Sequence, residues 1–177
     1  MESTNTQKKP FDTIKKDESR IVIPMYDESK NLIGFQGRAL GKSFTKYITV
    51  MLDEEAPKVY GIEKIDKTIA VYITEGPFDS TFICNSIAMC GADVDISNWG
   101  IRNPVWIYDN EPRNREIVNR IGRTIDNGNS IVIWPTNIIQ KDINDMVLSG
   151  HDVMSVVELN TYSGLEAKIK FNNWKKI

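Results

Sequence analysis

The chain has 177 residues, 41% of them hydrophobic and 26% charged, with a net charge of −2. That length holds one hydrophobic core with a small satellite at most, no apolar run is long enough to cross a bilayer, and the polar N-terminus is not a secretory leader, so a cytoplasmic protein is expected. The charge balance excludes bulk electrostatic wrapping of nucleic acid while leaving room for a local basic groove beside an acidic centre, and two cysteines with one histidine are too few for a conventional closed zinc site.

Residues 1–19 are polar and charged with little apolar periodicity, which predicts a flexible lead. RIVIPMYD, a polar turn ESKN and LIGFQGRAL read as two paired strands, and KYITVM as a third. Together they predict a small antiparallel β subdomain over 20–64. From Ile69 the rhythm changes. Ile69–Thr74 is a short apolar run suited to a strand buried on both faces. Pro77–Asn85 follows as a short helix, then a strand Ile87–Cys90 closed by Gly91, a buried run Val105–Tyr108, and a helix Asn114–Asn127 with Ile117, Ile121 and Ile125 on one face and Gly128 as its stop. Ser130–Trp134 is a last strand and Asp142–Leu148 a closing helix. Such alternation predicts an α/β unit over 65–149, a mostly parallel sheet flanked by helices. The remainder, 150–177, is weakly patterned and reads as a C-terminal extension. Cys84 and Cys90 lie in apolar surroundings and read as buried, reduced thiols.

Acidic residues follow three of the expected strands. Glu75 ends the Ile69–Thr74 run in EGPFD, where Gly76 permits a sharp turn and Pro77 suits the first turn of a helix. Asp109 and Glu111 follow the second run, and Asp142 and Asp145 come shortly after the third, in KDIND. In a parallel sheet all three places converge on the carboxyl edge, where open α/β sheets put their ligands. Taken singly, each acid is more often structural: Asp79 suits the first turn of its helix and Asp142 a helix cap. Taken together they repel, and a cluster of oxygen ligands calls for Mg²⁺ or Mn²⁺, arranged to align nucleophile and leaving group in phosphoryl chemistry.

These motifs resemble the TOPRIM domain: EGPFD matches its E-G-x-x-D, and Asp109-Asn110-Glu111 stands where that fold has D-x-D, with Glu in place of the second Asp. KDIND is similar to the later acidic motif of primases, and RIVIPMYD, GFQGRAL and KYIT to the β subdomain that precedes TOPRIM in DnaG-type primases. From about residue 20 the whole chain resembles the catalytic half of T4-type DNA primases. The resemblance implies synthesis of short RNA primers from nucleoside triphosphates on single-stranded DNA, with Glu75 as central acid, ligand or proton acceptor. Asp109, Glu111 and Asp142 would be Mg²⁺ ligands, and Asp79 and Asp145 supporting acids. It implies a replicative helicase as partner. The family's zinc-binding template module, which this cysteine count does not supply, is expected on another chain or separated from this one. A TOPRIM nuclease using the same acids, and a non-catalytic nucleic-acid or helicase-docking module, remain the alternatives.

For phosphate contacts the resemblance points to Arg38 and Lys46, with Arg20 as a third cation; Arg113 follows the DNE acids closely. As isolated basic residues they are more often solvated surface. Tyr47 reads as cross-strand packing or as a base-stacking ring. Gly37 to Ser43 is not a phosphate-cradling P-loop, since three residues separate its glycines where that loop needs four. His151 stands alone and reads as surface.

Overall fold

The computed structural model describes residues 19–91 and 94–177; the expected lead over 1–19 lies almost wholly outside them. Three strands, β1 (Arg20–Tyr26), β2 (Leu32–Ala39) and β3 (Tyr47–Met51), form an antiparallel sheet in that order. The β1–β2 turn is closed by Asp27, whose carboxylate accepts from the Asn31 backbone and side-chain amides, both at 2.8 Å. Gly34 in β2 lets β3 come close: a Cβ there would stand 2.6 Å from the Val50 carbonyl oxygen.

The second sheet has six strands in the order β4-β6-β5-β7-β8-β9. Its centre is parallel: β5 (Ala70–Thr74) lies between β6 (Ser86–Met89) and β7 (Asn103–Trp106), and β7 pairs with β8 (Ser130–Val132). Both edges are antiparallel, β4 (Val59–Tyr60) against β6 and β9 (Thr161–Tyr162) against β8. The helices are α1 (Pro77–Ser80), α2 (Arg115–Asp126), α3 (Ile143–Leu148), α4 (Val153–Leu159) and α5 (Gly164–Trp174). Val71, Ile73, Ile87, Ile131 and Val132 are completely buried in the sheet, and Ile117, Ile121 and Ile125 of α2 close over the same core. This is the expected architecture, a mostly parallel sheet flanked by helices and preceded by a small antiparallel one.

Several elements differ from the sequence reading, each for a local reason. The helix expected over 77–85 is one turn, Pro77–Ser80. The Ser80 and Thr81 hydroxyls bond back to the Pro77 and Phe78 carbonyls, at 2.8 and 2.6 Å, in competition with helix propagation. Asn85 then turns the chain at φ 49°, its amide donating to the Asp66 and Ala70 carbonyls. Strand β7 starts two residues before the apolar run, because its register with β5 begins at Ala70–Asn103; Ile107 and Tyr108 are nonetheless buried. Val59–Tyr60, expected with the small subdomain, pairs with β6 of the large sheet. Cys90 is buried, and burial pushes its thiol up to about 12, but Cys84 is exposed rather than buried.

The largest difference is at the C-terminus. The weakly patterned residues after 150 form α4, β9 and α5, and Val153, Val157, Ala167 and Trp174 enter the main core. Their pattern is weak because α5 buries only Ala167 and Trp174, which leaves little periodicity to read. Trp174 is 6% exposed, and its indole Nε1 donates to Asn110 Oδ1 at 3.0 Å. Trp174→Ala is expected to cost about 3–4 kcal/mol of stability, read as a lowered urea midpoint. A loss under about 1 kcal/mol would mean that α5 does not anchor the site.

Candidate active site

The three acidic stretches leave the carboxyl ends of neighbouring strands. Glu75 follows β5 directly, with Asp79 in the turn of α1. Asp109 and Glu111 follow β7, whose pairing with β5 is prolonged by the Ile107 amide donating to the Ile73 carbonyl at 2.8 Å. Asp142 caps α3, its Oδ1 accepting from the Asp145 amide at 2.8 Å.

Hydrogen bonds stitch these stretches together. The Asn110 side-chain amide donates to the Ile138 and Gln140 carbonyls at 2.9 and 3.1 Å, and its backbone N–H donates to the Lys141 carbonyl at 2.6 Å. That ties the Asp109–Glu111 turn to the segment carrying Asp142. Asp79 Oδ1 accepts from the Asn144 backbone amide at 3.1 Å, tying EGPFD to KDIND. Arg120, from α2, reaches Glu75 Oε1 at 3.1 Å, and its guanidinium also lies over the Tyr108 ring at 4.9 Å. Lys141 bridges Asp109 and Glu111, at 3.6 and 3.5 Å.

The electrostatics are those of several carboxylates acting on one another at one sheet edge. Burial, then the charge of Asp109, push Glu75 up to about 7; the Arg120 pair opposes this without overcoming it, and Glu111 and Asp79 push the same way. Asp79 is raised to about 6, first by burial and then by Asp142 and Asp109, against the Asn144 hydrogen bond and Arg38. Asp109 is raised by burial, with Lys141 pulling down and Asp142 and Glu111 pushing up. The five acids Glu75, Asp79, Asp109, Glu111 and Asp142 therefore sit in one field. Their hard oxygen donors suit Mg²⁺ or Mn²⁺, and the ammonium of Lys141 stands where a cation balances Asp109 and Glu111. Among the described residues no group of three or more His, Cys, Asp or Glu side chains is arranged closely enough to hold a metal ion.

The small sheet brings one cation to the same edge. Arg38 of β2 lies over the Phe78 ring of EGPFD at 4.3 Å and donates to the Tyr47 hydroxyl at 2.9 Å. Burial is the main cause that raises the Tyr47 hydroxyl; Arg38 opposes it, and Asp79 and Asp142 push the same way as burial.

No family model matches the chain. The DNA primase of enterobacteria phage T4 is 37% identical over 167 residues, 90% of this chain but 48% of that protein, so the chain spans about half the length of its relative. A DNA primase domain from Pseudomonas aeruginosa superposes with a TM-score of 0.63 at 16% identity, over 82% of this chain and 52% of that one. A DnaG primase catalytic domain bound to single-stranded DNA gives 0.58 at 17% identity, over 76% and 49%. In sequence this chain is similar to about half of the T4 DNA primase, and its fold is that of DnaG catalytic cores.

Of the residues singled out from sequence, the fold places Glu75, Asp79, Asp109, Glu111 and Asp142 within electrostatic reach of one another, with Arg38 against Phe78. Asp145 is exposed on the first turn of α3, its backbone amide taken by the Asp142 cap. Lys46 is exposed at the start of β3, its Nζ 5.6 Å from the Tyr47 ring. Arg113 is exposed beyond the DNE turn. Arg20 points elsewhere: Nη1 donates to the Thr45 and Gly37 carbonyls at 3.0 and 3.3 Å, which makes it a brace for the β2–β3 loop. Sequence reasoning missed Arg120, Lys141 and Asn110. Arg120 had a signal, a cation flanking the Ile117–Ile121–Ile125 stripe; Lys141 had one in its contiguity with Asp142. Asn110 had none, because its role depends on a segment about thirty residues away in sequence.

Proposed function

We propose that this chain is the catalytic part of a DNA primase, joining nucleoside triphosphates into short RNA primers on a single-stranded DNA template. The observation that carries the reading is the mutual electrostatic influence of acids from three separate strand ends, at the edge where this fold places ligands. The 37% identity to the T4 primase supports it.

Glu75 is the group best placed to accept the proton of the attacking 3′-hydroxyl. Its affinity for a proton, raised to about 7, matches what a general base near neutral pH requires. Arg120 holds one oxygen of that carboxylate, which fixes its orientation. Asp109, Glu111 and Asp142 are the residues that would hold Mg²⁺ or Mn²⁺. When bound, the ion neutralises charge on the triphosphate and on departing pyrophosphate. Arg38 and Lys141 add fixed positive charge at the same edge for phosphate oxygens. Lys46, exposed just before β3, would meet the template backbone. A replicative helicase and a separate zinc-binding template module complete the proposed assembly, in the cytoplasm of an infected cell; among the described residues no helix is long and apolar enough to cross a membrane.

The test is product analysis with the purified chain, Mg²⁺, single-stranded DNA and labelled ribonucleoside triphosphates. Template-dependent oligoribonucleotides, of weak sequence specificity without the zinc module, are expected. Shortened DNA instead would assign the same acids to a nuclease, and no Mg²⁺-dependent product would reduce the chain to a binding module.

A further inference from the structure

We propose that Phe44, at the tip of the β2–β3 hairpin, is a stacking platform for a base of single-stranded nucleic acid, with Lys42 and Lys46, on either side of it in the chain, for nearby phosphates. The inference rests on the primase reading and adds the residue that grips the strand.

Among the described phenylalanines Phe44 is 107% exposed and Phe82 38%, whereas Phe35, Phe78 and Phe171 are partly buried. An aromatic ring projecting fully into water is the least favourable place for that side chain, and none of the other described rings is exposed to this extent. The loop carrying it is nevertheless well held. Arg20 crosses beneath, donating to the carbonyls of Thr45 at 3.0 Å and Lys46 at 3.5 Å and to Ser43 Oγ at 3.5 Å. Ser43 Oγ in turn donates to the Thr45 carbonyl and accepts from the Thr45 amide, each at 3.1 Å. The Ala39 amide donates to the Lys46 carbonyl at 3.0 Å and closes the hairpin base. Residues on both sides of Phe44 are thus fixed, which presents the ring outward and lowers the ordering cost of a contact.

The surroundings select the occupant. Lys42 and Lys46, two residues before and two residues after Phe44 in the chain, are both exposed, and lysine is depleted from the centres of protein–protein interfaces. An exposed ring with an exposed lysine two residues before it and another two residues after is instead an arrangement that takes a base on its face and phosphates nearby, for any base, because each has a π-face. Position agrees. Three residues on, at most about 10 Å of chain, Tyr47 receives the Arg38 hydrogen bond, and Arg38 lies on Phe78 of EGPFD. A strand held at Phe44 would therefore pass close to the reacting site.

The test measures binding of a fluorescein-labelled oligothymidylate by anisotropy across a salt series, with primer synthesis assayed in parallel. Phe44→Ala is expected to weaken binding about 10-fold with an unchanged slope of log affinity on log salt, since no charge is lost. Lys42→Ala is expected to lower that slope by about 0.7. Phe44→Trp should keep wild-type affinity and show indole quenching on adding DNA beyond that of the wild type. In synthesis, Phe44→Ala should raise the DNA concentration for half-maximal rate and leave the saturated rate intact. Wild-type affinity in Phe44→Ala, or no added quenching in Phe44→Trp, would overturn the inference. Primer synthesis by the wild type alongside that result leaves the primase reading standing. Conversely, weakened binding in Phe44→Ala with no primers from the wild type upholds the stacking role and removes the catalytic one.

Discussion

Glu75→Gln is expected to lower Mg²⁺-dependent primer synthesis by about 10²–10³-fold, the loss typical of removing one preorganised charge from a reacting centre. The substitution is nearly isosteric. Its amide oxygen can still accept from Arg120, whose guanidinium lies 3.1 Å from Glu75 Oε1, so the fold is not at risk. What disappears is a negative charge that Asp109, Glu111 and Asp79 all act on. Asp142→Asn is the companion experiment. Asparagine caps a helix as well as aspartate does, so the hydrogen bond to the Asp145 amide survives while the charge bearing on Asp79 and Asp109 is removed. Activity lost in Asp142→Asn at unchanged thermal stability assigns the charge to chemistry; activity kept in Asp142→Asn and lost in Asp142→Ala would reduce the residue to a cap. Glu75→Gln retaining primer synthesis within about threefold of wild type would remove Glu75 from the reaction.

How much of this was legible in the sequence follows from the range of the interactions. The strands Ile69–Thr74 and Ser130 onward, and the helix with Ile117, Ile121 and Ile125, were readable because burial imposes local period on side chains. The acids were readable because parallel strands send their carboxyl ends to one edge, so position along the chain predicts meeting in space. What holds the edge together was not readable. Asn110 binds carbonyls of Ile138 and Gln140, and Trp174 binds Asn110 across 64 residues of sequence. Neither pairing leaves a mark on local pattern. Arg20 shows the converse failure. Its type and place suggested a phosphate contact, but its guanidinium is directed at backbone carbonyls of a loop that only tertiary structure brings beneath it. The short α1 belongs to the same class: hydroxyls of Ser80 and Thr81 and the left-handed Asn85 end a helix that propensity alone would have continued.

The second large effect is a pH-dependent stability that Mg²⁺ should reverse. In metal-free protein, with EDTA present, Glu75 is raised from 4.5 to about 7 and Asp79 from 3.8 to about 6. Between the unfolded and folded values the native state holds protons that the unfolded chain has released, so stability falls as pH rises through this window. The exposed carboxylates of Asp27, Asp66, Asp95 and Asp152 are held below 3.8 and act oppositely, but their contribution is already complete above pH 5. Raising pH from 5 to 8 is thus expected to cost on the order of 2 kcal/mol, about 5 °C in Tm for a chain of this size. Glu75→Gln should flatten most of that slope and be more stable than wild type at pH 8. Millimolar Mg²⁺ should restore the lost degrees at pH 8, where the carboxylates are ionised, and do little at pH 5, where Glu75 and Asp79 hold their protons. Equal stabilisation by Mg²⁺ at both pH values, or the same gain in Glu75→Gln, would place the ion away from these acids and detach them from metal-dependent chemistry.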